Sequence, residues 1–257
     1  MDLSVVVPVR NEAENIAPLV TEIETALDGL VSYEIIYVDD GSTDATAAVL
    51  RRLGPRLRLL RHARSCGQSA AIRTGVRAAR AEWIATLDGD GQNDPADLPQ
   101  LWRLTRDAPA SPPLLIAGHR RNRQDRWSKR AASRIANRIR ARLLGDATPD
   151  TGCGLKLFPR ALFLDLPDFD HMHRFLPALV LRAGGTVLSV PVNHRPRGGG
   201  VSNYGVLDRL GVGIVDLFGV LWLQRRSARP VLLDRASTEA EGMMTDEPAL
   251  PPVSAWR

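Results

Sequence analysis

The stretch Leu87-Asp88-Gly89-Asp90-Gly91-Gln92 sets two carboxylates and an amide in one short glycine-spaced turn, directly after an apolar run. Their oxygens can converge on one cation. An all-oxygen donor set suits a hard ion such as Mg²⁺ or Mn²⁺, which keeps coordination sites for substrate phosphates. An acidic surface turn uses the same residue types, so the surroundings decide between the two readings. A second acidic group, Val38-Asp39-Asp40-Gly41-Ser42-Thr43-Asp44, also closes an apolar run. Ser42 or Thr43 can cap a following helix and Asp44 can stabilise its first turn. That leaves Asp39 and Asp40 as adjacent like charges with no local reason, and points to a ligand's hydrogen-bond donors. Pro8-Val9-Arg10-Asn11-Glu12 closes the first apolar run in the same way.

Such groups need elements that bring them together. Leu3 to Pro8 is short and β-branched, and from Asn11 to Leu30 apolar residues recur at helical spacing through Ile16, Leu19, Val20, Ile23 and Leu27. The alternation continues with strands over 34–38, 56–60, 83–87 and 114–118. Helices are expected over 43–53 and 67–80, and from Asp94-Pro95 to Arg106, with a proline-rich loop over 109–113. Alternating strands and helices predict an α/β fold with a mostly parallel sheet covered on both faces, where ligands bind at the carboxyl ends of the strands. The three polar strand ends then share one crevice. At 257 residues, 44% hydrophobic and 25% charged, the chain suits one large domain with appendages.

Charge is unevenly placed. Between Arg120 and Arg142 lie Arg121, Arg123, Arg126, Lys129, Arg130, Arg134, Arg138 and Arg140, with Asp125 the one nearby acid. This segment meets something anionic, or is a solvated basic helix or a patch for anionic lipid headgroups. Trp127 without a spread of aromatics argues against nucleic acid. Two distant cysteines, Cys66 and Cys153, give neither a disulfide framework nor zinc spacing, and the start of the chain carries no basic leader, so a cytoplasmic protein is expected.

VVVPVRNE ending at Glu12, VDDGSTD at Val38 to Asp44, LDGDGQNDP at Leu87 to Pro95, TGCGLKLFPR at Thr151 to Arg160 and HRPRGGGVSNYG at His194 to Gly205 occur in this order. In these motifs the chain resembles the family 2 glycosyltransferases, especially the branch of dolichyl-phosphate mannose synthase and bacterial polyprenyl-phosphate glycosyltransferases. The resemblance spans Leu3 to Gln224. It implies a GT-A type, Rossmann-like domain over 1–205 that moves a hexose from a GDP- or UDP-linked donor to polyprenyl phosphate, with inversion. It also implies that Pro8, Arg10, Glu12, Asp39 and Asp40 hold the nucleotide, and that Asp88, Asp90 and Gln92 bind Mg²⁺ or Mn²⁺, with Asp90 essential for turnover. Arg120, Arg130, Ser133 and Arg134 are the candidates for the acceptor's phosphate. Arg195, Arg197 and Ser202 belong to a glycine-rich loop expected to close over diphosphate, although Asn203 stands where relatives often carry lysine.

A phosphate acceptor is already anionic near neutral pH and needs no general base, whereas a hydroxyl of a glycan or glycolipid does. Asp150 is the candidate base in the hydroxyl case; it can equally orient an arginine or cap a turn. His171 and His173 fit a structural or substrate-contact role better than a metal site. A non-catalytic nucleotide-sugar-binding scaffold on the membrane is the alternative of another class, and the retained Asp88, Asp90 and Gln92 argue against it. The segment 206–226 is expected as an amphipathic helix lying in the interface of the inner membrane face, with Leu207, Leu210, Ile214, Leu217, Phe218 and Leu221 on one side and Trp222, Arg225 and Arg226 at headgroup level. A core-packing or dimer helix is the competing reading. A span needs about 20 mostly apolar residues, and Asp216 near the centre costs on the order of 3 kcal/mol. Residues 227–257 read as a disordered tail.

Overall fold

β1 (Leu3–Val9) is buried along its whole length, as its unalternating β-branched sequence requires of a central strand covered on both faces. It pairs in parallel with β2 (Tyr33–Asp39) on one side and β4 (Trp83–Thr86) on the other, and β3 (Arg58–Arg61) extends the sheet beyond β2. The computed structural model describes residues 1–106, 112–120, 140–146, 148–196 and 206–226, with backbone alone for 206–210. Within them the sheet runs β3-β2-β1-β4-β6-β5-β7, where β5 is Leu114–Arg120, β6 Lys156–Pro159 and β7 Thr186–Val192. β6 is antiparallel to both neighbours and the other pairings are parallel. The sheet is thus mostly parallel, as the alternation predicts. β6 and β7 were not among the expected strands: β6 is short with a lysine at its start, and β7 carries Pro191.

Besides a helical stretch over 140–144, the helices include α1 (Ala13–Leu27), α2 (Thr46–Arg52), α3 (Gln68–Ala78), α4 (Leu98–Arg103), α5 (Arg160–Asp165), α6 (Leu176–Arg182) and α7 (Val206–Arg225). Side chains alternate across β1, so Val5, Val7 and Val9 pack with Ile16, Val20 and Ile23 of α1, while Val6 packs with Ile72 and Val76 of α3. Each such aliphatic side chain contributes about 1.5–3 kcal/mol by burial. α2 begins at Thr46, later than expected. Ser42 accepts instead from the Asn11 backbone N–H (2.9 Å), and Asp44 accepts from that of Thr46 (2.9 Å). Neither Ser42 nor Thr43 is therefore the cap.

α7 lies within the compact unit Met1–Arg225. Leu217, Val220, Leu221 and Leu223 turn inward, and Arg182 Nε donates to the Leu223 carbonyl at 2.8 Å. Val215, Phe218 and Trp222 face outward at 70%, 67% and 60% exposure. The single apolar face expected from the sequence is therefore divided, with Leu217 and Leu221 inside and Ile214 and Phe218 outside. The helix is apolar around most of its circumference, so spacing alone does not mark the buried side. The contact of Asp216 with His171 at 3.1 Å accompanies the observed rotation. No described helix is long and apolar enough to cross a membrane.

Candidate active site

The pairing of β1 with β4 ends at Val6 and Thr86, while its pairing with β2 runs on to Val9 and Asp39. The strand ends part there, at the switch point where open α/β sheets bind ligands, and a cleft of about 790 Å³ opens. Asp88, Asp90 and Gln92 all line it. Gly89 presses against β1, where a Cβ would fall 2.3 Å from Val9 Cγ1. The Asp88 N–H donates to Asn93 Oδ1 at 3.0 Å, Gln68 Nε2 donates to Asp88 Oδ1 at 2.7 Å, and Asp90 Oδ1 accepts from the Gln92 N–H at 3.1 Å. Gly154 completes the cradle, since a Cβ there would meet the Asp88 carboxylate at 2.3 Å. Burial and then the charge of Asp90 push the Asp88 carboxyl up to about 6, against Lys156, Gln68 and Arg120. A half-open pair of carboxylates, one of them still raised in pKa despite Lys156 and Arg120, offers oxygen donors that fit a divalent cation.

The loops after β1 and β2 are fastened to each other. Asn11, in the left-handed region at φ 57°, accepts from the Thr43 N–H through Oδ1 at 2.9 Å, and the Glu12 N–H donates to Thr46 Oγ1 at 2.9 Å. Pro8, Arg10, Glu12 and Asp40 line the cleft. Asp39 is fully buried, accepts from the Ser42 N–H at 2.8 Å and pairs with Arg61 at 3.0 Å. Asp40 meets His62 Nδ1 at 2.7 Å and accepts from the Cys66 N–H at 2.8 Å, Ser65 Oγ at 2.7 Å and the Gly67 N–H at 2.9 Å. Both acids thus have partners within the protein that their own motif does not announce, Arg61 for Asp39 and the segment 62–67 for Asp40. Burial raises the Asp40 pKa, but these bonds, led by the Cys66 N–H, outweigh it and hold it below the usual range. Asp40, His62 and Cys66 bring possible metal-ligand atoms within 4.8 Å. The 2.7 Å contact is a hydrogen-bond length, and both carboxylate oxygens are engaged, so the group is a hydrogen-bonded cluster.

Positive charge also lines the cleft, within reach of Asp88. Arg120, at the end of β5, donates to Asp150 through Nε (2.6 Å) and a terminal nitrogen (2.9 Å), and lines the cleft. Burial lowers its pKa, but Asp150 raises it further still. Asp150 is buried and does not itself line the cleft. Lys156, also buried and cleft-lining, donates to the carbonyls of Thr151 (3.3 Å) and Cys153. Burial lowers the pKa of its ammonium, with Cys153, Asp88 and Asp150 pulling the other way. Arg174, His171 and His173 line the cleft as well. His171 holds φ 63°, uncommon for a residue with a side chain and a mark of functional sites.

Arg195 lies elsewhere. Its guanidinium forms a two-point bond with Glu22 (3.0 and 2.7 Å) and reaches the Asn93 carbonyl at 3.2 Å, and it is not among the cleft-lining residues. Arg130, Ser133, Arg134, Arg197 and Ser202 fall outside the described residues. Three residues had escaped notice: Gln68 and Ser69, which open α3, and Lys156. The strand-end rule applied to β1, β2 and β4 applies equally to β3, and a lysine next to an apolar run is itself a signal of a buried partner.

The model of the family described as glycosyl transferase family 2 matches residues 4–166. A dodecaprenyl-phosphate galacturonate synthase of Rhizobium johnstonii is 38% identical over 245 residues, covering 90% of this chain and 69% of that protein. An undecaprenyl-phosphate 4-deoxy-4-formamido-L-arabinose transferase of Edwardsiella ictaluri is 32% identical over 210 residues, covering 80% of this chain and 63% of that protein. Among solved structures, glucosyl-3-phosphoglycerate synthase of Mycobacterium tuberculosis with Mn²⁺, UDP and glucosyl-3-phosphoglycerate superposes with a TM-score of 0.66 at 20% identity, over 87% of this chain and 79% of that one. The same enzyme is known with Mg²⁺ and UDP. The architecture is therefore the GT-A one, as the sequence implies.

Proposed function

Because the chain belongs to glycosyl transferase family 2, we propose that it moves a sugar from a nucleotide-sugar donor to a polyprenyl phosphate, with inversion, on the inner face of the membrane. The observation that carries this reading is the pairing of Asp150 with Arg120. The carboxylate best placed in sequence to serve a hydroxyl acceptor as base is engaged at both oxygens, and the arginine it holds lines the cleft. A phosphate nucleophile needs such a cation and no base. The named relatives, a dodecaprenyl-phosphate and an undecaprenyl-phosphate sugar enzyme, support the same acceptor class.

In this reading Pro8, Arg10, Glu12 and Asp40 flank the nucleotide, and Asp39 supports the loop beside Asp40. Asp88, Asp90 and Gln92 hold Mg²⁺ or Mn²⁺. The bound ion supplies Lewis-acid neutralisation of the diphosphate leaving group. Arg120, oriented by Asp150, aligns the attacking phosphate against the sugar from the side opposite the leaving group, so one displacement inverts the anomeric centre. Asp150 is then a positioning residue. Arg130, Ser133 and Arg134 remain candidates for the acceptor and Arg197 and Ser202 for the diphosphate. Arg195, held by Glu22, fixes the loop that follows β7 to α1.

The outward side chains of α7 support peripheral attachment: Val215, Phe218 and Trp222 offer an apolar strip beside Arg225 and Arg226, a pattern that suits an anionic lipid interface. The test incubates the purified full chain with Mn²⁺ or Mg²⁺, polyprenyl phosphate and labelled UDP- and GDP-sugars, and follows label into the organic phase. Metal-dependent labelling abolished by EDTA is expected. Donor binding without labelling of the lipid would refute the acceptor assignment.

A further inference from the structure

His173 has a defined hydrogen-bond environment that no step above uses. Its Nδ1 lies 2.7 Å from Ser69 Oγ, and its backbone N–H donates to the same oxygen at 3.3 Å. Ser69 is buried at 2% exposure, and among the described residues its hydroxyl has no other acceptor than this ring nitrogen. A hydroxyl that donates to Nδ1 makes Nδ1 the acceptor and leaves the ring proton on Nε2. His173 lines the cleft, and its Nε2 has no hydrogen-bond partner among the described residues.

We propose that Ser69 locks His173 as the Nε2–H tautomer, and that this neutral donor, set beside Arg174 and Lys156, receives a phosphoryl oxygen of the substrate. Burial, followed by the charges of Lys156, Arg174 and His171, lowers the imidazole pKa well below 6.5, so the ring stays neutral at working pH. A neutral donor among fixed cations binds an anion without the cost of desolvating one more charge. Ser69 acts through His173 and is a positioning residue. The phosphoryl group has two possible sources, the donor's diphosphate and the acceptor's monophosphate. That part rests on the function proposed above; the tautomer does not.

The test has two independent readouts. In ¹⁵N-histidine NMR of the full chain at pH 7.5, His173 should show the Nε2–H tautomer, and Ser69→Ala should erase that preference. In calorimetry, wild type, H173A, H173Q and H173N are titrated with UDP or GDP plus Mn²⁺ and, separately, with a short-chain polyprenyl phosphate. Glutamine places an N–H near the ε position and asparagine near the δ position. H173A and H173N should weaken one ligand by about 10- to 100-fold, while H173Q stays within a few-fold of wild type. Weakened nucleotide identifies the diphosphate, and weakened polyprenyl phosphate identifies the acceptor. An imidazolium or Nδ1–H form in the wild type, or equal binding of both ligands by H173Q and H173N, overturns the proposal. Neither readout depends on turnover, so an inactive enzyme would refute the proposed reaction and leave the tautomer standing.

Discussion

Replacing Asp88 by asparagine should stabilise the metal-free protein at neutral pH while removing its activity. The folded carboxyl binds its proton more tightly than an unfolded one, with a pKa of about 6 against the ordinary 3.8. At about 1.4 kcal/mol for each tenfold in proton affinity, ionised Asp88 costs the metal-free fold about 3 kcal/mol, and water in the cleft reduces this to about 2 kcal/mol. The sign follows from the raised pKa. The protonated carboxyl's contribution is complete below pH 3.8 and is lost as the pH rises through about 6. Asparagine never ionises and still accepts from Gln68, so it escapes the loss. Urea denaturation in EDTA at pH 7.5 should therefore find the variant more stable by about 2 kcal/mol, and the gap should shrink to roughly a third by pH 4.5. Excess Mn²⁺ should raise the stability of the wild type at pH 7.5 and leave the variant unchanged. A variant no more stable than wild type in EDTA at pH 7.5 would show that the chain already compensates this carboxylate, and the reasoning would fail.

Gly154→Ala drives a Cβ into the Asp88 carboxylate; calorimetric Mn²⁺ titration should show affinity reduced by about 100-fold, with the circular dichroism of the fold retained. Asp150→Asn should raise the KM for polyprenyl phosphate about tenfold and change kcat little, whereas a base role would instead lower kcat by about 100-fold or more at saturating substrate. Phe218→Ala with Trp222→Ala should weaken cosedimentation with anionic vesicles by about tenfold or more, with unchanged turnover of a short, water-soluble acceptor.

The strand-end motifs were readable because the chemistry and the turn coincide within a few consecutive residues, as at Asp88 to Gln92. Apart from the Ser42 N–H, the partners of Asp39 and Asp40 were not, since they come from 61–67, and nothing local in Val38 to Asp44 announces an arginine or a set of N–H donors some 20 residues on. The rotation of α7 was hidden for a different reason: when most positions are apolar, only tertiary partners decide which side is buried, and here they include Arg182 and His171. The partner of Arg195 was equally out of reach. A basic residue in a glycine-rich stretch reads as a phosphate ligand until Glu22, 173 residues earlier, is seen to hold it.

Three consecutive residues at the start of α3 gather what the sequence scattered. The Gly67 N–H holds Asp40, the Gln68 side chain holds Asp88, and Ser69 holds His173. Their donors and acceptors diverge from one helix end, so Asp40, the carboxylate turn and His173 share one reference point. A displacement of α3 would move all three together and preserve their mutual distances. That arrangement suits a reaction in which both the leaving group and the nucleophile are anionic, because misalignment of either side by about 1 Å costs on the order of 100-fold in rate. The glycine at 67 follows from its backbone, which turns into α3 at φ 91°, and the short side chain of Ser69 lets its hydroxyl reach His173 at 2.7 Å.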